Sequence, residues 1–321
     1  MISENSCVSN NEHGLNFCKS KIVSAARNIT RNNKKSGILI YECAAEADVS
    51  DNTCELNTKD GLWISDTPSA VVKNNLCRQN GDCGIRASGC SKATLIQNNL
   101  CTENKRDGLS ICESSQITGC SNICNGNVKD GINVFKTASL SLNRNECFNN
   151  NSIGIYINES SAVTTEDNVC RQNIWQGILV NVSKDISLLR NQCVGNFHSG
   201  VEFRNVNGNA ENNICRFNHE NGIMASDPDA NVILTANTCL DNYPSGVFFK
   251  KGAVGKVSDN ICRNNPFSGI AIQGSGTNPI LANNTLSNNG TWGLRVWAEA
   301  KPTIDPNNIL QGNSKGASKI D

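Results

Sequence analysis

The chain has 321 residues, of which 51 are asparagine and only 5% are aromatic, and its 29 basic residues balance 29 acidic ones. An apolar share of 38% against 18% charged excludes a disordered polyelectrolyte. Without a basic block the chain suits neither nucleic acid nor an anionic membrane surface, and no stretch approaches the ~20 apolar residues of a membrane helix.

Met1-Ile2-Ser3-Glu4-Asn5 lacks a basic start followed by an apolar run, so no secretory leader is read there. Seventeen cysteines in so long a chain exceed what a small disulfide framework needs. Reduced thiols and a cytoplasmic location are therefore expected.

From Asn5 onward one pattern recurs: Asn-x-Cys-x-x-Asn-x-x-x-Gly followed by an apolar residue, as in Asn99-Leu100-Cys101-Thr102-Glu103-Asn104 and then Gly108-Leu109. The cysteine place is held by Cys7, Cys54, Cys77, Cys101, Cys124, Cys147, Cys170, Cys193, Cys215, Cys239 and Cys262. Thr30, Thr285 and Leu310 are read into the same place in the other three copies. After each glycine comes apolar-x-apolar, as in Ile155-Tyr156-Ile157, and about ten residues later another, as in Leu140-Ser141-Leu142. These are period-2 strands, and no window holds helical spacing long enough for a helix. Equal units with three short strands each predict an all-β coil whose equivalent strands pair in parallel.

The pattern resembles the right-handed parallel β-helix of the pectin lyase-like superfamily over the whole chain. The expectation is a single domain over 1–321, with repeats over 5–317 forming about 13–14 coils of ~23 residues and three short parallel sheets. Asparagine tolerates left-handed backbone and is expected at the sharp corners, where equivalent amides bond up the coil. Cysteine is expected as a buried packing column of free thiols. The short ends, before Asn5 and after Ala317, suit a module of a longer protein or ends that pair with another chain.

Outward positions carry function in a solenoid. The turn before the glycine holds Asp60, Asp82, Asp107 and Asp130 in the early coils, beside Lys59, Lys105, Arg106 and Lys129. Carboxylates in a row suit calcium, but the basic neighbours favour a solvated edge, so no cofactor is expected. A zinc site from Cys83, Cys90, Cys112 and Cys120 is disfavoured by the absence of any Cys-x-x-Cys. In the later coils the same turn carries Trp175, Phe197, His198, His219, Tyr243, Phe267 and Trp292, expected as one continuous exposed stripe that binds a partner. The middle residues of the strands after the glycine, among them Leu179, Glu202, Met224, Phe248 and Arg295, are expected to add exposed area. Arg204, Asp227, Asp229, Lys250 and Lys251 form a charged knot in the turn that follows. Polysaccharide lyases on the resembled fold pair carboxylates with an Arg or Lys base, which makes these five the candidate catalytic residues. Asp227-Pro228-Asp229 also resembles the Asp-Pro-His motif of alginate epimerases, with the histidine missing.

The resembled enzymes build their clefts from long inserted turns, and here coil length stays near the usual step. A non-catalytic recognition rod is therefore expected, binding a protein or an extended glycan through the aromatic edge, with end-to-end self-association a further option. The alternative is a polysaccharide-binding or polysaccharide-active protein of lyase, hydrolase or epimerase type.

Overall fold

A computed structural model describes every residue from Met1 to Asp321. The chain contains no helix, and its strands wind into about 14 turns of roughly 23 residues that build three parallel sheets. It divides into two compact units, Met1–Val163 and Thr164–Asp321. Within each unit every turn lays one strand on each sheet.

The sheet containing the cysteines shows the register most plainly. In the first unit Cys54, Cys77, Cys101, Cys124 and Cys147 are successive partners. In the second unit Cys170, Cys193, Cys215, Cys239 and Cys262 repeat the arrangement, and Leu286 follows Cys262. Leu286, not Thr285, therefore occupies the cysteine place; Thr285 pairs with outward Ile261. All seventeen cysteines are free thiols, and the ladder cysteines are fully buried except Cys7.

Two columns of asparagines flank this sheet. Asn104 donates from its backbone N–H and from Nδ2 to Asn127 Oδ1, both at 3.0 Å, and from Nδ2 to the Cys77 carbonyl at 3.1 Å. Its own Oδ1 accepts the equivalent two bonds from Asn80 at 3.0 Å. The amide thus satisfies backbone groups that a corner would otherwise leave unpaired. The left-handed backbone expected at these asparagines lies one residue earlier. Asn98, Glu103 and Gln79 have φ of 55°, and Arg190 and Phe217 adopt the same region. Residue type matters little there, because the ladder that follows holds the bend in place.

The glycine has a steric reason. A Cβ at Gly108 would meet Gly131 O at 2.7 Å and Cys124 Cβ at 2.8 Å. Inside, side-chain volumes alternate: Phe203, Ala225 and Phe249 are successive partners in the sheet that follows the glycines, and all three are fully buried. Large against small fills the column without strain.

Candidate functional site

The sheet after the glycines turns its odd residues inward and its middle residue outward. In the second unit the outward column runs Leu179, Glu202, Met224, Phe248, Ala271, Arg295. Beside it stands the residue that precedes each glycine: Gln176, Ser199, Asn221, Ser245 and Ser268. Leu179, Glu202 and Met224 are buried rather than exposed as expected, because neighbouring side chains fold over them.

Glu202 is the centre of the first feature. Its carboxylate is 1% exposed, accepts Gln176 Nε2 at 2.5 Å, and pairs with Arg204 Nε. A depression of about 420 Å³ lies over it, lined also by Trp175, His198, Glu220, Asp227, Lys250 and Lys251. Trp175 stacks on His198 with ring centres 4.8 Å apart, and His198 Nδ1 meets Glu220 Oε1 at 3.1 Å. Asp227 pairs with Lys251 at 3.6 Å and accepts the Ser226 hydroxyl at 3.1 Å. Gln176 Oε1 is buried and has no partner. The structure thus brings four of the five knot residues together with Trp175 and His198. Asp229 lies outside, exposed two residues beyond Asp227 in the same connecting segment. Glu202, Gln176 and Glu220 complete the cluster; Glu202 had a signal in the sequence, as the lone carboxylate of its outward column.

The expected single stripe of rings is instead a set of pairs. Trp175, His198 and Phe267 sit two residues before their glycines, Phe197, His219 and Tyr243 three before, and Trp292 one before. Different offsets fall in different columns. Phe197 stacks on His219 at 4.7 Å, and Tyr243 meets Phe267 edge to face at 5.6 Å. Trp175, Phe197, Tyr243 and Phe267 remain exposed, whereas Trp292 is half-buried, its place adjoining Gly316.

In the first unit the aspartate row is not a solvated edge. Asp60, Asp107 and Asp130 are buried, because the place before the glycine tucks against the turn above and below. Burial raises the Asp107 carboxyl from 3.8 to about 6, with the charge of Asp130 adding to it. Asp60 and Asp130 are raised too, first by burial. Arg86 pairs with Asp60 at 3.2 Å. No group of three or more His, Cys, Asp or Glu is arranged to hold a metal ion.

These features define a right-handed parallel β-helix with a polar and aromatic outer face. Residues 69–205 and 183–313 match the family described as right handed beta helix region, and the chain belongs to it. Residues 1–108 also match a family described as periplasmic copper-binding protein (NosD). No curated protein matches the chain. Among solved structures, the catalytic unit of a GH87 alpha-1,3-glucanase from Streptomyces thermodiastaticus is 14% identical with a TM-score of 0.66. That match covers 94% of this chain but only 64% of the glucanase unit. The mannuronan C-5 epimerase AlgE4 A-module of Azotobacter vinelandii is 14% identical with a TM-score of 0.55, covering 99% of this chain and 89% of that one. A variant of the periplasmic alginate epimerase AlgG is 11% identical with a TM-score of 0.51, covering 93% and 73%. At such identities the likeness is one of fold. The expected cytoplasmic location is corrected: the match of residues 1–108 to a family described as periplasmic points away from the cytoplasm. Buried, free thiols do not require a reducing compartment, since the column keeps them from solvent.

Proposed function

We propose that the chain binds an extended polysaccharide along the outer face of the glycine sheet in its second unit. The observation that carries this reading is the meeting of exposed rings with a hydrogen-bonding floor: Trp175 and His198 stand beside Glu202, Gln176, Arg204 and Asp227 around one depression. Rings offer the apolar faces on which sugars stack, and the polar floor offers partners for hydroxyls. From the turn of Trp175 to that of Trp297 is five steps of ~4.8 Å, roughly 24 Å of surface. The glucanase and the epimerases named above act on polysaccharides, which supports the same class of ligand. A protein-binding rod fits less well, because a protein interface centre is depleted of charged groups.

The test is polysaccharide pull-down across neutral and acidic polymers. Wild type is compared with a variant carrying Trp175→Ala, Tyr243→Ala and Trp292→Ala. Retention of at least one polymer by wild type, and its loss in the variant, is expected. Equal retention by both sinks the reading.

Cleavage of the bound chain, of lyase or hydrolase type, is a second reading, favoured by His198. Its Nδ1 lies against Glu220, which fixes one tautomer and leaves Nε2 free as a base beside the depression. Release of new chain ends by wild type, absent with His198→Ala, is the outcome that supports it; no new ends from wild type removes it.

A further inference from the structure

Further along the same face the outward column reads Met224, Phe248, Ala271, Arg295. Three of these side chains are large and one is a methyl group. The interruption at Ala271 opens a notch of about 390 Å³. Tyr243, Pro244 and Phe267 approach it from the turn before the strands, and Trp297 from the strand end. Trp297 lies parallel to Phe248 with ring centres 5.9 Å apart, and the Arg295 guanidinium sits 4.8 Å from the Trp297 ring centre.

Two buried polar atoms belonging to this lining have no partner: Asn221 Oδ1 and Arg295 Nε. Asn221 is 5% exposed, and its amide nitrogen faces only the Met224 sulfur, at 4.0 Å. Buried polar groups are almost always paired, so an orphan acceptor at one end of the notch and an orphan donor three strand steps away at the other ask for a ligand that reaches them as the lining side chains give way. Such a ligand carries a hydroxyl to donate, an oxygen to accept, and an apolar face for the rings. A pyranose has all three.

We infer that the notch at Ala271 is a subsite for a hydroxylated pyranose ring stacked among its aromatic side chains, with the sugar's hydroxyls turned toward Asn221 Oδ1 at one end of the notch and Arg295 Nε at the other. Ala271 is the residue that sets specificity, because any larger side chain in its place closes the notch. This rests on the polysaccharide reading above and adds where one unit is gripped. The fold tolerates the closing substitution, since the same column already carries Leu179, Met224 and Phe248.

The experiment is calorimetric titration of wild type, Ala271→Leu and Asn221→Leu with two probes, an α-1,3-linked glucose oligosaccharide and a mannuronate oligosaccharide. The probe that binds tells a neutral ring from an acidic one. Ala271→Leu is expected to lose at least about tenfold in affinity, with an unchanged melting temperature. Asn221→Leu should lose a similar factor, and any loss of fold there leaves Ala271→Leu as the deciding variant. If wild type binds and Ala271→Leu binds equally well, the notch is not a subsite, while the polysaccharide reading stands. If wild type binds neither probe, the subsite falls, and the polysaccharide reading is decided separately by the pull-down above.

Discussion

Asp107 Oδ1 accepts the backbone N–H of Asp130 at 3.1 Å, and Asp130 Oδ1 accepts that of Ile153 at 2.9 Å. The row once expected at a solvated edge is therefore a set of backbone acceptors inside the turn. A neutral amide oxygen can accept the same bond; Gln176 and Asn221 fill the equivalent place in the second unit, although their own amide oxygens take no such partner there. A carboxylate there must be desolvated, which is why Asp107 rises to about 6.

Sign and window follow from that shift. Native Asp107 keeps its proton where the unfolded chain has released it. Its contribution to stability is full below about pH 4 and is lost as pH rises through 6. Asp107→Asn should then match wild type near pH 4 and exceed it at pH 8, by roughly 3 kcal/mol at most. Asp60 and Asp130 shift the same way, so wild type itself should be less stable at pH 8 than at pH 5. Thermal melts at the two pH values decide it. A variant weaker than wild type at pH 8 refutes the account.

The asparagine ladder predicts a much larger effect at a chemically modest change. Asn104→Ala strips the partners from Asn80 N, Asn80 Nδ2 and the Cys77 carbonyl, and leaves a void among buried groups. With each orphaned group costing ~1–3 kcal/mol, a total of about 4 kcal/mol is expected. Asn98→Ala, six residues earlier in the same turn and merely left-handed, should cost about 1 kcal/mol. Urea titration of both variants checks the contrast, and comparable losses would mean that the bend rather than the amide holds the corner.

Much of this architecture is legible in the sequence because every turn repeats one steric problem. The pair Gly108 and Cys124 shows why: the close approach of a Cβ to a neighbouring carbonyl admits only glycine, and the pattern recurs visibly. Thr285 misleads because alternation puts Leu286 inward, a difference of one residue that flips the face. The site is less legible. Trp175 and Arg204 lie on different rows, and their meeting over Glu202 depends on how long side chains lean across a sheet, which spacing does not encode. The burial of Asp107 was hidden for a similar reason. Its basic neighbours in sequence suggest solvent, whereas its neighbours in space are the turns above and below.

Thiol reactivity should follow the column. Cys77, Cys101, Cys193, Cys215 and Cys262 are held well above the ordinary thiol range, first by bonding with adjacent thiols, while Cys124 and Cys239, which those neighbours bond, are held below it; burial seals all seven from a reagent. Cys83 is raised to about 12, mainly by burial. Only Cys18 is exposed, with Cys7 and Cys112 half-buried. Titration of native protein with a thiol reagent should show one fast group at neutral pH. Denaturation without reductant should release all seventeen. Thiols that appear only after reduction would mean that ladder cysteines pair, against the register described.

The Glu202–Arg204 pair separates stability from binding. Glu202 is 1% exposed whereas the Arg204 side chain is 40% exposed, so removing the arginine strands a buried carboxylate with Gln176 as its remaining near donor. Arg204→Ala should cost about 2 kcal/mol, below the full penalty for a broken buried pair because water reaches the vacated place. Combining it with Glu202→Leu should recover most of that loss, since Leu179 and Met224 already stand on either side in the column. Polysaccharide retention should not recover, because the double variant lacks the polar floor beneath Trp175. Melting curves and pull-down on the two variants give the two readouts separately. A double variant that regains both stability and retention would show that Glu202 and Arg204 serve the fold alone, and that the sugar lies elsewhere on the face.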